Sequence, residues 1–109
     1  MNQGVCLKVY VHELQKHHGI SLFEWLLEKG KELGLEGGSA IRSIAGFGRH
    51  GHMHAEHFFE LGSNVPVEVT FILKKEKLEG FLVVLEEEGL DLFYSVFDIH
   101  FGSSKKNPS

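Results

Sequence analysis

Cysteine occurs once in the 109 residues, at position 6, which excludes an intrachain disulfide and with it a zinc site built chiefly from thiolates. That usage fits a reducing cytoplasm. Positive charge is also scarce: 11 Lys and Arg stand against 15 Asp and Glu, a formal charge of -4, so there is no basic excess to track a nucleic-acid backbone. Long hydrophobic runs are missing, and nothing approaches the roughly 18 to 20 apolar residues that cross a bilayer as a helix. Membrane insertion is therefore not expected. The stretch from Met1 to Ile20 carries His12, Glu13, Lys16, His17 and His18 and no apolar signal-peptide core, so nothing points to export.

What is present is the composition of one folded domain: 42% hydrophobic, 24% charged and 11% aromatic, with 13 glycines and 2 prolines. The length is too short for two independent cores. One domain is expected over 1–102, followed by a polar tail over 103–109 that has no apolar anchor and should be mobile.

Val5, Leu7, Val9 and Val11 alternate with Cys6, Lys8, Tyr10 and His12, the period-2 mark of a first strand. Ser21 and Glu24 read as a capping box opening a helix, with an apolar stripe of Leu22, Trp25, Leu26 and Leu33 and a stop at Gly34. Ser39 to Phe47 reads as a second strand, and Val65 to Leu73 as a third with Pro66 near its start. Lys74 to Glu88 carries Leu78, Leu82 and Leu85 at helical spacing before Gly89, and the aromatic-rich Leu92 to Phe101 reads as the last strand.

The order strand, helix, strand, strand, helix, strand is that of an α+β, ferredoxin-like βαββαβ fold, an antiparallel sheet with both helices on one face. The uncovered face is expected to carry Tyr10, Ile44, Ile72, Tyr94 and Val96. Apolar surface on that scale predicts a homo-oligomer closed around it.

At Gly46-Phe47-Gly48-Arg49 the chain, from about Gly4 to Phe101, resembles PII-like signalling proteins, and more narrowly the uncharacterised bacterial and archaeal branch known as domain of unknown function one-ninety. The matching stretches are Leu7 to Val11 with Glu13, Leu22 to Gly37, Arg42 to Gly48, and His50 with His54. The resemblance implies a cytoplasmic, non-enzymatic homotrimer whose intersubunit clefts hold an adenine nucleotide and whose long loop after the second strand docks on a protein target, a membrane transporter or a metabolic enzyme. By that match the nucleotide-binding candidates are Gly46, Phe47, Gly48, Arg49 and His50, and Arg42 lies in the strand leading to the turn. The chemistry is compatible: glycines let backbone N–H groups approach phosphate, and an arginine can grip it with two parallel bonds.

One departure bears on the ligand. Typical PII proteins carry a second, glycine-rich phosphate loop between the second helix and the last strand, where this chain has the acidic Glu86-Glu87-Glu88-Gly89-Leu90-Asp91. Like charges repel a triphosphate, so AMP or ADP is favoured over ATP. No cofactor is required by this reading.

An alternative reading rests on His50, His52 and His54. At spacing two along an extended ribbon their imidazoles fall on one side, a ligand set for a divalent transition metal such as zinc, copper or nickel. The chain would then be a metal-binding or metal-tolerance protein. The remaining histidines suggest less: His17 and His18 read as an exposed turn, while His12 and His100, at strand ends, can meet across the sheet. Trp25 reads as core or interface and Cys6 as buried filler. Lys74, Lys75 and Lys77 lie at a helix start, where positive charge opposes the macrodipole; they read as a solvated face, with a reason other than helix stability as the alternative. Glu13, Glu68 and Asp98 could in principle assemble a carboxylate pair, but no spacing selects one and no catalytic motif is present.

Overall fold

The computed structural model describes residues 1–46 and 65–105. Its strands are β1 (Asn2–His12), β2 (Lys16–His17), β3 (Ile20–Ser21), β4 (Gly37–Arg42), β5 (Pro66–Lys74) and β6 (Phe93–Phe101), and its helices are α1 (Leu22–Glu32) and α2 (Lys75–Glu87). The main sheet runs β4-β5-β1-β6 with every neighbouring pair antiparallel, while β2 and β3 form a small hairpin of their own. The α+β class and the βαββαβ order are as the sequence indicates.

Alternation along the two central strands makes the core. Val5, Leu7, Val9 and Val11 of β1 and Val67, Val69, Phe71 and Leu73 of β5 turn to the helix side, where Leu22, Trp25 and Leu26 of α1 and Phe81 and Leu85 of α2 cover them. Phe71 and Phe81 meet edge to face, with ring centroids 5.1 Å apart at 68°. Gly30 is what lets α1 lie so close: a Cβ there would sit 2.6 Å from the Phe71 ring, and one at Gly38 would sit 3.1 Å from it. These two glycines are selected by the bulk of Phe71.

Several details differ from the sequence reading. The Ser21 side chain makes no cap hydrogen bond, because Ser21 is committed to the β2–β3 hairpin. The Gln15 carbonyl accepts the Leu22 N–H instead, at 2.7 Å. Leu33, assigned to the buried stripe, is the exposed C-cap of α1, and the buried position is Gly30. The second strand stops at Arg42 rather than running on to Phe47, which itself lies outside the described residues.

β6 is shifted by one residue relative to the expectation. Its register sets Phe97 opposite Cys6 and Phe93 opposite Tyr10, so the uncovered face carries Phe93, Ser95, Phe97 and Ile99, whereas Tyr94 and Val96 stand on the helix side. A one-residue offset moves every side chain of a strand to the other face. The same register pairs His100 with Gln3, leaving His12 nine positions further along β1, about 30 Å away at 3.3 Å per residue. The two histidines do not meet. Cys6 is half-buried on the uncovered face, between Ile72 and Phe97, rather than buried.

The lysines at the start of α2 have a structural reason. Glu36 accepts the Lys74 backbone N–H at 3.0 Å and the Lys77 ammonium at 3.0 Å, and Lys77 also donates to the Gly34 carbonyl just past α1. The end of one helix is thus tied to the beginning of the other. Burial works to raise the Glu36 carboxyl pKa, but the bonds from Lys77 and from Lys74 outweigh it and hold it below 4.5. A carboxylate depressed in the folded state stabilises fully above its unfolded value, and that contribution disappears as pH falls through the folded one. Glu36→Gln should therefore cost about 1 kcal/mol at neutral pH and flatten the loss of stability below pH 4.5. Urea unfolding at pH 7 and pH 3 would show an equal acid loss in both proteins if the contact carried nothing.

Candidate functional site

In sequence, β4 is followed four residues later by Gly46-Phe47-Gly48-Arg49. Its last residue, Arg42, lies in an edge strand, and the Arg42 Nε donates to a Glu13 carboxylate oxygen at 2.6 Å while a terminal guanidinium nitrogen pairs with the same oxygen. The pair ties the end of β4 to the segment after β1. One further backbone bond, Ser43 N–H to the Pro66 carbonyl, continues the register past the strand, after which Ile44 stands almost fully exposed. Gly46 is half-buried at the limit of the described residues. Of the sequence-predicted site, Arg42 and Gly46 are thus located, whereas Phe47, Gly48, Arg49, His50, His52 and His54 lie outside the described residues.

The uncovered sheet face is the second feature. Tyr10, Ile41, Phe93 and Phe97 are exposed on it, with Ile72 and Cys6 half-buried between them. At its centre Lys8 pairs with Glu68 at 3.1 Å and lies over the Phe97 ring, 5.5 Å from the centroid. The hydrogen bond to Glu68, and then its charge, hold the Lys8 ammonium pKa above the ordinary 10.5. Tyr10 stacks obliquely on Phe93 at 5.6 Å, and its hydroxyl is 2.9 Å from that of Ser95. On the opposite side of β6, Tyr94 and Val96 are exposed as well. β6 therefore shows apolar rows on both of its surfaces.

A third feature is a cleft of about 370 Å³ between the end of α1 and β4. Leu27, Leu35, Gly38 and Phe71 line it, with Lys31 and Glu36 supplying charge.

No carboxylate pair is assembled from the three acids considered. Glu13 is held by Arg42, Glu68 by Lys8, and Asp98 lies 3.7 Å from Lys75, each with a different cation. What the sequence did not reveal is the convergence of His17 and His18 on Glu88, some 70 positions away. The acidic run Glu86 to Glu88 was the visible half of that signal.

Comparison with known proteins adds to this geometry. The model of the DUF190 family, described as "Uncharacterized ACR", matches residues 4–92. A UPF0166 protein of Aquifex aeolicus (strain VF5) is 37% identical over 76 residues, spanning 70% of this chain and 72% of that protein. Among solved structures, CPII from Thiomonas intermedia K12 bound to ADP and bicarbonate superposes with a TM-score of 0.66 at 18% identity, over 93% of this chain and 90% of that one. The same nitrogen regulatory PII-like protein bound to ADP, AMP and bicarbonate gives a TM-score of 0.64 at 16% identity, over 94% and 97% of the two chains. The shared feature is the PII-like fold.

Proposed function

The chain belongs to the DUF190 family, and from that premise we propose that it is a non-enzymatic PII-like regulator that binds AMP or ADP between the subunits of a homotrimer. The observation that carries the proposal is the backbone match over 93% of the chain to a PII-like protein whose structure holds ADP. A second solved form of that protein holds both ADP and AMP.

The residues are consistent with this role. Gly46-Phe47-Gly48-Arg49 follows the end of β4, and its composition suits phosphate: small residues for backbone donors and one guanidinium. Arg42, fixed by Glu13, secures the strand that delivers this turn. The acidic Glu86 to Glu88 segment at the end of α2 disfavours a third phosphate. The uncovered face, with Tyr10, Ile41, Phe93 and Phe97, is the surface that second and third copies of the chain would cover. Occupancy would be reported to a protein target, a membrane transporter or a metabolic enzyme, through the segment from Arg49 to Asn64.

Calorimetric titration of AMP, ADP and ATP into metal-stripped protein tests the proposal. One nucleotide per chain is expected, with AMP or ADP bound more tightly than ATP. Arg49→Ala should weaken binding by about 1.5–3 kcal/mol, the range for a hydrogen bond to a charged group. The proposal fails if no heat is seen and the melting temperature does not move, since a ligand at 100 times its dissociation constant stabilises by about 2.7 kcal/mol. Unchanged affinity in Arg49→Ala would remove that residue from the site alone.

A further inference from the structure

We propose that His17, His18 and Glu88 form a binding site for one divalent transition-metal ion, of the zinc, nickel or copper class, per chain. The site shares Glu88 with the acidic segment that disfavours a third phosphate, and it stands on its own geometry.

The β2–β3 hairpin turns on His18 and Gly19, whose φ values are 53° and 82°. Two successive left-handed residues make the tight turn that suits the twist of paired strands. In an extended strand the side chains of neighbours point to opposite faces. The left-handed conformation at His18 cancels that alternation, and the rings of His17 and His18 come to lie 4.1 Å apart, centre to centre. Histidine is one of the few side-chain-bearing residues that enter this conformation readily, yet glycine or asparagine would do so at lower cost. Turn geometry alone does not call for an imidazole here.

Glu88 arrives from the other direction. It caps the C-terminus of α2 after Glu86 and Glu87, at the end of a helix where the macrodipole disfavours negative charge. His17 Nε2 lies 2.8 Å and His18 Nε2 2.7 Å from the same oxygen, Glu88 Oε1. The three donor atoms all lie within 4.8 Å of one another. The set is two imidazoles and a carboxylate on one small volume, and imidazole nitrogen suits zinc, copper and nickel. An ion bound tetrahedrally at about 2.0–2.1 Å spaces its ligands by roughly 3.3 Å, so each imidazole nitrogen needs to draw back from Glu88 Oε1 by only about half an ångström.

The surroundings suit such an ion. Trp25, buried in the core, meets the His17 ring edge-on at 4.7 Å and 82°, which fixes one ligand while the Glu88 carboxylate, about one third exposed, can adjust. The His18 side chain is 65% exposed, leaving an entry path. Three protein ligands leave a fourth position for water or a donor from outside the chain.

The experiment uses the full chain stripped with a chelator, and a background variant in which His50, His52 and His54 are all alanine, so that those histidines contribute nothing. Zinc is titrated by calorimetry, and copper by fluorescence of Trp25, the only tryptophan in the chain. Expected are one ion per chain and strong copper quenching in both wild type and background variant. His18→Ala and Glu88→Gln, made in that background, should each weaken binding at least about tenfold. Glu88→Gln retains an acceptor for the histidines, so its fold, checked by far-UV circular dichroism, should be kept. Binding that is unchanged in both single variants, or that vanishes in the background variant, would overturn the proposal, as would the absence of saturable binding in wild type.

Discussion

Phe71→Ala is expected to lower the free energy of unfolding by about 3–5 kcal/mol, read as a shift of the urea midpoint with the slope unchanged. Phe71 is 1% exposed, lies at the middle of β5 and is the side chain against which Gly30 of α1 and Gly38 of β4 are fitted. Large-to-small substitutions cost most where the surroundings cannot collapse into the space. Here collapse is limited: two of the neighbours are glycines, which have no side chain to move, and Phe81 is itself packed in the core. The hole would also open into the cleft beside Leu27 and Leu35. A loss below about 1.5 kcal/mol would mean that α1 slides inward to close the gap. The companion change Gly30→Ala should be destabilising for the opposite reason, since its Cβ would stand 2.6 Å from the same ring.

On the proposed trimer, Phe97→Glu should convert an assembly of about 37 kDa, three times the chain mass of 12.3 kDa, into a monomer by sedimentation equilibrium, and should abolish the proposed adenine-nucleotide binding with it. Phe97 is half exposed on the uncovered face, so replacing it takes nothing from the core. A carboxylate at 97 would meet Lys8, whose ammonium already lies over that ring, so the subunit itself gains a partner for the new charge. Three copies brought together around these faces would instead take each new carboxylate out of water beside a Lys8 already shared with Glu68, two carboxylates on one ammonium, which costs several kcal/mol per uncompensated charge. Wild type sedimenting at 12.3 kDa would contradict the trimer directly. A Phe97→Glu protein that stays trimeric would place the subunit contact on another surface.

The fold was legible where the two faces of an element differ in kind. β1 and β5 alternate valine and leucine with Lys8, Glu68 and Thr70, so their direction toward the helices follows from the sequence. β6 lacks that contrast. Phe93, Tyr94, Val96, Phe97, Ile99 and Phe101 put large apolar groups on both sides, and only the pairing of Phe97 with Cys6 settles which row faces which way. The serine and glutamate of the supposed capping box have the right spacing, but the box depends on a backbone path that the short β2–β3 hairpin overrides. Strands of two residues leave no periodicity to detect.

The candidate site was legible only in part. Arg42 reads as a strand residue and is one, whereas Gly46, read as part of the same strand, lies past its end at Arg42. Lys77 looked misplaced at a helix start, and its reason, the Gly34 carbonyl and Glu36, lies on a different element. The meeting of His17, His18 and Glu88 has no local signature either, since it depends on how the end of α2 settles beside the hairpin. Contacts between distant segments are set by packing, which the pattern along one segment does not encode.

The place of β1 in the sheet has a consequence for how the molecule comes into being. β1 lies between β5 and β6, and its register joins Asn2 to Phe101 and Gly4 to Lys74. The edge of β1 that pairs with β6 finds its partner only more than 80 positions further along the chain. Until β6 is in place, one edge of β1 stays open even when β5 and α1 are already docked on it. Contacts so distant along the chain slow folding and lengthen the exposure of aggregation-prone strands. A chain lacking Phe93–Phe101 would therefore present an unpaired β1 edge, the kind of surface that invites association with another strand.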